Sequence, residues 1–420
     1  VNHAHHKRST CRLCGHGELD LVLPLQPSAI ADAFVPGEKL GEPQAVYPLD
    51  LYLCRACGHA QLLDVLDPRV LFSNYIYETS VSASLKEHFR QYADTVAARQ
   101  QLSPGALVID IGSNDGTLLR FFKEKGFAVL GIDPAENIAR KATAGGIETL
   151  PAFFDSQTAR TLRRERGPAA IVTANNVFAH SDAIADMADG IRELLAPDGV
   201  FVFEVSYLLD MVRHLVFDWI YHEHLCYHSI RPLAEFFRRH GLELIDVERV
   251  ATKGGSIRCT VQKAGGPKAI APVVAQMIAE EKATGLHTRE FFDAFFARIE
   301  VEKRKLLAVL DEAKARGLTI AGYGASATTT TLMYHFELGP YLEMLFDDDK
   351  LRHHLYSPGH HLPVLPGEAL EEKRPDVVVV LAWRYAAPIA AKHEAHLKAG
   401  GRFLVPLPEL REISAADYSK

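Results

Sequence analysis

The amino-acid sequence predicts an α/β protein in which a small cysteine-bearing module precedes two domains built on open, mostly parallel sheets. Three observations predict it. Two C-x-x-C-G motifs stand near the start, an apolar run at 107–111 breaks into a glycine loop and restarts at helical spacing, and a similar strand–glycine–helix pattern returns at 318–328. At 420 residues the chain is long enough for two or three domains with separate cores. With 48% apolar and 24% charged residues the composition is that of an ordinary globular protein, and a net charge of −7 argues against a nucleic-acid surface. No apolar stretch reaches the length of a bilayer, and the N-terminal region lacks a signal-peptide core. A cytoplasmic protein without membrane or nucleic-acid partners is expected.

The first module spans residues 1–70. Cys11-Arg-Leu-Cys14-Gly and Cys54-Arg-Ala-Cys57-Gly each place two thiolates on one tight turn, with the glycine freeing backbone amides to point at sulfur. Two such turns complete a tetrahedral Zn²⁺ site. Four sulfurs close it to water, so its role should be structural. A redox C-x-x-C pair is the alternative, and two matched copies argue against it. Cys226 and Cys259 stand alone and read as buried thiols. Alternation in 47–53 suggests a small sheet.

The second domain is expected at 71–265. A helix at about 80–100 leads to Ser103-Pro104-Gly105, then to the strand and loop Leu107-Val-Ile-Asp-Ile-Gly-Ser-Asn-Asp-Gly-Thr-Leu118. Gly112 and Gly116 let the backbone approach a ligand held between strand end and helix start. The strand 127–133 ends in Asp133, about 20 residues past the first glycine, where a ribose-binding carboxylate is expected. The third glycine of G-x-G-x-x-G is missing and Asp110 sits two places before Gly112. That D-x-G-x-x-x-G pattern with an acidic strand end resembles the class I S-adenosylmethionine-dependent methyltransferases rather than an NAD protein. The resemblance implies that the backbone at Gly112 and Gly116 meets the methionine part with Asp110 nearby, that Asn114 also binds the cofactor, and that Asn175 or Asn176 contacts the amino-acid end. Phe153 is a candidate to border adenine or, equally, a core side chain. Further strands are expected at 169–174 and 199–205. Those at 242–247 and 256–261 suit the antiparallel hairpin that closes such a sheet.

The third domain, 266–420, begins with a charged helical spacer at about 270–316. Then Leu318-Thr-Ile-Ala-Gly322-Tyr-Gly324 forms a second strand and glycine turn, with later strands at 342–347 and 376–382. This Rossmann-like pattern is a phosphate cradle or a packing turn. A second such domain suggests a nucleotide-bearing substrate.

Between two strands of the second domain lies Phe217-Asp-Trp-Ile-Tyr221-His222-Glu223-His224-Leu-Cys-Tyr227. Metal binding fails on spacing, because the place of the second histidine of H-E-x-x-H is Cys226. Histidines two apart project differently, so His222 and His224 should not both face one substrate. A polar cluster that only pins the loop is the alternative reading.

The order of the knuckles, Tyr75-Ile-Tyr77-Glu-Thr-Ser-Val-Ser82, Asp110–Gly116, Asn175-Asn-Val-Phe-Ala-His180, Tyr221-His-Glu-His224, Lys253-Gly-Gly-Ser-Ile-Arg258 and Gly322-Tyr-Gly-Ala325 is similar to that of the sugar C-methyltransferases. These act on nucleotide-linked 4-ketohexoses in deoxysugar biosynthesis. The resemblance implies S-adenosylmethionine as cofactor, a dTDP- or GDP-linked substrate methylated at C3 or C5, and a monomer. His224 is then the base that removes a proton next to the ketone. Tyr221 and Glu223 position base and sugar or stabilise enolate charge. Tyr75, Tyr77 and His180 line the sugar pocket, though Tyr75 as a packing residue and His180 beside a helix-capping Ser181 are alternatives. Lys253 and Arg258 are candidates for the diphosphate, with solvated surface charge as the alternative, and Tyr323, Gly324 and Ser326 for the nucleotide. One departure stands out: members of that family often carry a lysine shortly after the second glycine turn, whereas Gly324-Ala-Ser-Ala-Thr328 continues into three more threonines. Methylation of oxygen or nitrogen on another scaffold, a nicotinamide-dependent sugar oxidoreductase and a non-catalytic zinc-ribbon protein are the competing functions.

Overall fold

Seven strands of the computed structural model, which describes residues 5–72 and 79–418, build the first sheet. They are β1 (Leu107–Ile111), β2 (Ala128–Ile132), β3 (Thr149–Leu150), β4 (Ala169–Asn175), β5 (Leu195–Ser206), β6 (Leu242–Val250) and β7 (Ser256–Lys263). Their order is β6-β7-β5-β4-β1-β2-β3. Neighbours from β5 to β3 run parallel, and β7 runs antiparallel to both β5 and β6. The expected hairpin is present as β6 and β7. Because the chain builds outward from β1 through β3 and then crosses to β4, a switch point lies between β1 and β4, where open α/β sheets bind ligands beyond their carboxyl ends.

Helix α1 (Ala83–Gln100) starts at Ser82, whose side chain accepts the Leu85 amide, and ends at Gln101 in the left-handed region. It packs Phe89, Tyr92 and Val96 with Leu118, Leu119 and Phe122 of α2 (Thr117–Glu124) onto Val108, Ile171, Val200 and Val202 of the sheet. Apolar burial of this kind stabilises by about 25 cal/mol per Å².

The chain divides into two compact units, each discontinuous in sequence. One comprises Val1–Asp20, Leu53–Leu209 and Leu225–His287; the other comprises Leu21–Tyr52, Asp210–His224 and Thr288–Lys420. The expected spacer is two helices, α4 (Pro272–Thr284) and α5 (Arg289–Ala315), interrupted at the left-handed Gly285. Helix α4 serves the first unit. Its Glu281, fully buried, accepts the Tyr207 hydroxyl and the Ile230 and Arg231 amides, and so caps α3 (Ile230–Arg239). Burial raises the Glu281 pKa, opposed by the two amides.

In the second unit β8 (Ile320–Tyr323), β9 (Leu345–Asp347), β10 (Val364–Pro366), β11 (Val377–Val380), β12 (Arg402–Val405) and β13 (Arg411–Ile413) take the order β10-β9-β8-β11-β12-β13. Only β13 is antiparallel to its neighbour. Helix α6 (Ala327–His335) follows β8 across the second glycine turn. Among the described residues, no helix is long and apolar enough to cross a membrane.

Candidate active site

The two cysteine knuckles are wired alike. The Gly15 amide donates to the Cys11 carbonyl and the Cys11 amide to His16, while Gly58 donates to Cys54 and Cys54 to His59. Positive φ at Gly15 (75°) and Gly58 (77°) lets each turn close. The four sulfurs lie within 4.8 Å of one another, with Cys11–Cys57 at 3.6 Å and Cys14–Cys54 at 3.5 Å. Zinc–sulfur bonds of about 2.3 Å in a tetrahedron require sulfur separations near ~3.8 Å, so the four thiols fit Zn²⁺. The hydrogen bond from Cys57 lowers the Cys11 pKa, while the same pairing raises that of Cys57 and burial raises that of Cys54, so Cys11 is the sulfur held closest to the thiolate form.

At the carboxyl end of β1, Gly112 (φ 68°), Asn114 (φ 51°) and Gly116 (φ 76°) form a left-handed loop. A Cβ at Gly112 would meet Val177 Cγ2 at 2.3 Å, and one at Gly116 would meet Ile147 Cγ2 at 2.8 Å. Asp133, just past β2, accepts the Asn114 and Ala135 amides, both at 2.9 Å, and burial raises its pKa. Loop and carboxylate are thus held together where a nucleoside is bound in such sheets, which fits an adenosyl cofactor. The loop also anchors the chain arriving at 79–80: Asn114 Oδ1 accepts the Thr79 amide and Asp115 Oδ2 the Ser80 amide. Asn175 Oδ1 accepts the Glu204 amide at 3.2 Å, and Asn176 (φ 58°) donates its amide to the Glu204 carbonyl. Phe153 is 41% exposed, which removes its core alternative. We expect Gly112→Ala to weaken S-adenosylhomocysteine binding at least ~10-fold by titration calorimetry, because strain of about 1–3 kcal/mol falls on the loop.

Asp110, on β1, is buried, which raises its pKa to about 7 although the Thr173 hydroxyl donates to it at 2.6 Å. Between about pH 4 and 7 the folded chain keeps a proton that the unfolded chain has lost. Its stabilising contribution is therefore full below that window and lost as pH rises through it. Asp110→Asn should remove a pH dependence of about 3 kcal/mol between pH 5 and pH 8, read by urea unfolding at the two pH values.

His180 stacks on Phe72 with ring centres 5.6 Å apart and planes 3° from parallel. The following helix is capped at Ala183, so Ser181 caps nothing there. Tyr75 and Tyr77 lie outside the described residues. Lys253 is half-buried in the β6–β7 turn with φ 57°. Arg258 differs from expectation: its guanidinium grips Glu204 at 2.7 and 2.6 Å over the Tyr92 ring, and Glu204 also holds His88. Arg258 and Glu204 are register partners on β7 and β5, so the guanidinium is occupied within the sheet.

In the second unit every residue from 217 to 222 is anchored by a hydrogen bond or a ring contact. Phe217 stacks on Phe336, Asp218 accepts from Trp383 and Arg384, and the Ile220 carbonyl accepts the Thr331 hydroxyl at 2.7 Å. His222 faces Tyr47, its Nε2 donating to that carbonyl at 3.4 Å with the rings edge-on. His224 turns elsewhere: its Nδ1–H donates to the Trp219 carbonyl at 2.8 Å. The Tyr221 ring centre lies 4.1 Å from that of His224, and Tyr221 and Glu223 are both buried. A carbonyl cannot donate, so this bond places the proton on Nδ1 and makes Nε2 the basic nitrogen.

At the second turn Gly324 (φ 109°) donates its amide to Phe346, and a Cβ there would meet Ala382 Cβ at 2.6 Å. Tyr323 donates its hydroxyl to Asp348 at 2.8 Å and meets His393 Nε2 at 3.0 Å. The wiring repeats that of the first unit, since Asp347 accepts the Ala325 and Asp349 amides as Asp133 accepts those of Asn114 and Ala135. The threonine run is mostly turned inward: Thr329, Thr330 and Thr331 donate to the carbonyls of Gly324, Ala31 and Ile220. Ser326 and Thr328 hydroxyls pair at 3.0 Å, and Arg384 Nη2 reaches Thr328 at 3.3 Å. A cation therefore stands beside the turn that lacks the lysine. Asp115 and Asp218 stand inside the quoted motifs without a role of their own there, and Arg384 carries no sequence signal.

Family models match in three consecutive segments: a zinc binding domain at residues 11–72, a methyltransferase domain at 84–247 and a C-methyltransferase C-terminal domain at 251–408. The C-methyltransferase NovU of Streptomyces niveus is 35% identical over 407 residues, which cover 96% of this chain and 97% of NovU. The chain belongs to the C-methyltransferase family. This C-methyltransferase uses S-adenosylmethionine as its cofactor and carries a structural Zn²⁺ site. Solved structures similar to part of the C-methyltransferase include the CcbJ methyltransferase from Streptomyces caelestis, with 17% identity, a TM-score of 0.34, and coverage of 42% of this chain and 89% of that one. Magnesium protoporphyrin IX methyltransferase (ChlM) from Synechocystis PCC 6803 with bound SAH has 15% identity and a TM-score of 0.34, covering 47% and 91%.

Proposed function

We propose that this C-methyltransferase methylates C3 or C5 of a nucleotide-linked 4-keto-deoxysugar, with His224 as the base. The observation that carries the reading is the Nδ1–H bond to the Trp219 carbonyl, which aligns one imidazole and leaves its Nε2 basic. A ketone at C4 acidifies the hydrogens on its neighbours. His224 Nε2 takes one of these protons, and the electron pair left on carbon delocalises onto the ketone oxygen as an enolate. Bound S-adenosylmethionine supplies an electrophilic methyl, so a carbon–carbon bond forms as the carbon–sulfur bond breaks and S-adenosylhomocysteine departs. Tyr221 and Glu223, beside the base in sequence and both buried, orient the sugar or stabilise the enolate oxygen. Tyr75, Tyr77 and His180 line the sugar by the resemblance, and Lys253, Tyr323, Gly324 and Ser326 serve the nucleotide.

In this reading residues 1–70 are the zinc module, 71–265 bind the methyl donor and 266–420 bind the nucleotide, dTDP or GDP. The enzyme acts as a cytoplasmic monomer. Mass spectrometry of products formed from S-adenosylmethionine and a panel of nucleotide 4-ketosugars tests it: a gain of one methyl on a ring carbon is expected, and no turnover across the panel contradicts it.

A further inference from the structure

We infer that Asp218 is a positioning residue for His224, acting through an ion pair with Arg384 that no motif in the sequence announces. The inference rests on His224 being the base and extends it to the groups that aim the ring.

Asp218 is fully buried, and it is the one carboxylate between Phe217 and Ile220. Its Oδ2 accepts the Trp383 indole N–H at 2.9 Å, and Arg384 Nη1 reaches Oδ1 at 3.0 Å and Oδ2 at 3.2 Å. The Arg384 guanidinium lies 4.8 Å from the Trp383 ring centre and 5.8 Å from that of Trp219. Trp219 is the next residue after Asp218, and its carbonyl is the acceptor that fixes the His224 tautomer. Its ring also lies 5.1 Å from the His224 ring. A buried charge without a partner is costly, so Asp218 cannot leave Trp383 and Arg384 cheaply. The peptide at Trp219 is held with it, and so is the direction of the carbonyl that orients His224. Thr331, whose hydroxyl donates to the Ile220 carbonyl, secures the other side of the same peptide segment.

Arg384 makes the arrangement specific. Through Nη2 it also reaches Thr328 Oγ1 in the first turn of α6, so one guanidinium joins the loop of the base to the glycine turn. Asn at 218 keeps the shape and an acceptor for Trp383 but removes the charge that holds Arg384.

The test uses full-length, zinc-loaded enzyme with ¹⁵N-labelled histidine, the His224 signal being assigned by its loss in His224→Gln. Wild type should show His224 in the Nδ1–H form. Asp218→Asn should show a mixture of both tautomers, and Arg384→Gln, altered at a partly exposed side chain, should show the same if Asp218→Asn fails to fold. Affinity for S-adenosylhomocysteine should stay within ~2-fold of wild type in either variant. With dTDP-4-keto-6-deoxyglucose as probe substrate, kcat should fall about 10²-fold, as for a misplaced catalytic group, and the His224→Gln background should absorb the effect. An unchanged tautomer in both variants would overturn the inference. So would an equal further loss of kcat on top of His224→Gln, which is what a merely structural residue gives. The tautomer readout needs no turnover, so its failure is distinct from a failure of His224 as base.

Discussion

Replacing His224 by alanine should lower kcat about 10³-fold, within the range that a positioned general base contributes, while leaving the affinity for S-adenosylhomocysteine unchanged. The separation follows from where the residues sit. His224 is held by Trp219 within the segment Asp210–His224, and the loop of Gly112, Asn114 and Gly116 with Asp133 belongs to the other unit. In the proposed reading, removing the imidazole deletes the proton acceptor and leaves every residue of the glycine loop in place. His222→Ala provides the control. That ring faces Tyr47, so its loss should act on stability, with kcat within ~10-fold of wild type. Steady-state kinetics and calorimetry on both variants check the pair; equal losses of kcat would remove the distinction between the two histidines.

Removal of zinc should have the larger effect on stability. A closed four-sulfur site contributes on the order of 10 kcal/mol to the fold around it, and the groups near the knuckles depend on it. Arg231 Nη2 donates to the Cys57 carbonyl at 3.1 Å, and the strand Ala60–Leu62 pairs with Cys226–Tyr227. Arg12, buried between the cysteines of the first knuckle, is tied to Asp182 and Gln61. Without metal the four thiols have no common partner, and these contacts lose their frame. Chelation, or Cys57→Ser, should lower the melting temperature by more than ~10 °C with parallel loss of one zinc per chain. A metal-free protein melting at the same temperature would refute a structural role.

The elements that the sequence announces are those whose signal is local. β1 and the loop after it were readable from an apolar run ending in glycines, and the cysteine knuckles from spacing alone. The hairpin of β6 and β7 showed in two apolar alternating runs. By contrast β3 is two residues long, and β10, β12 and β13 are short, so none offers a periodicity to detect. Gly285 breaks the long helical stretch with a left-handed φ of 72°, a conformation that shows only in the fold. At the site, His224 stands out within Tyr221-His-Glu-His224, three ionisable types in four positions, yet its tautomer depends on a backbone carbonyl five positions earlier. The Arg384–Asp218 pair joins residues 166 positions apart, and Arg258 gave no hint that it faces Glu204 across a strand pair. Such pairings arise from register and topology, which single-sequence patterns do not carry. The threonines after Gly324 illustrate the same point, because the acceptors of three of their hydroxyls are carbonyls brought there by the fold.

Carbanion formation at a ring carbon can be observed without methyl transfer. Wild-type enzyme, S-adenosylhomocysteine and a nucleotide 4-ketosugar in D₂O should exchange one ring hydrogen for deuterium, read by NMR, and His224→Ala should abolish that exchange. Exchange at the wild-type rate in His224→Ala, or methylated product without any exchangeable ring hydrogen, would contradict proton removal by His224.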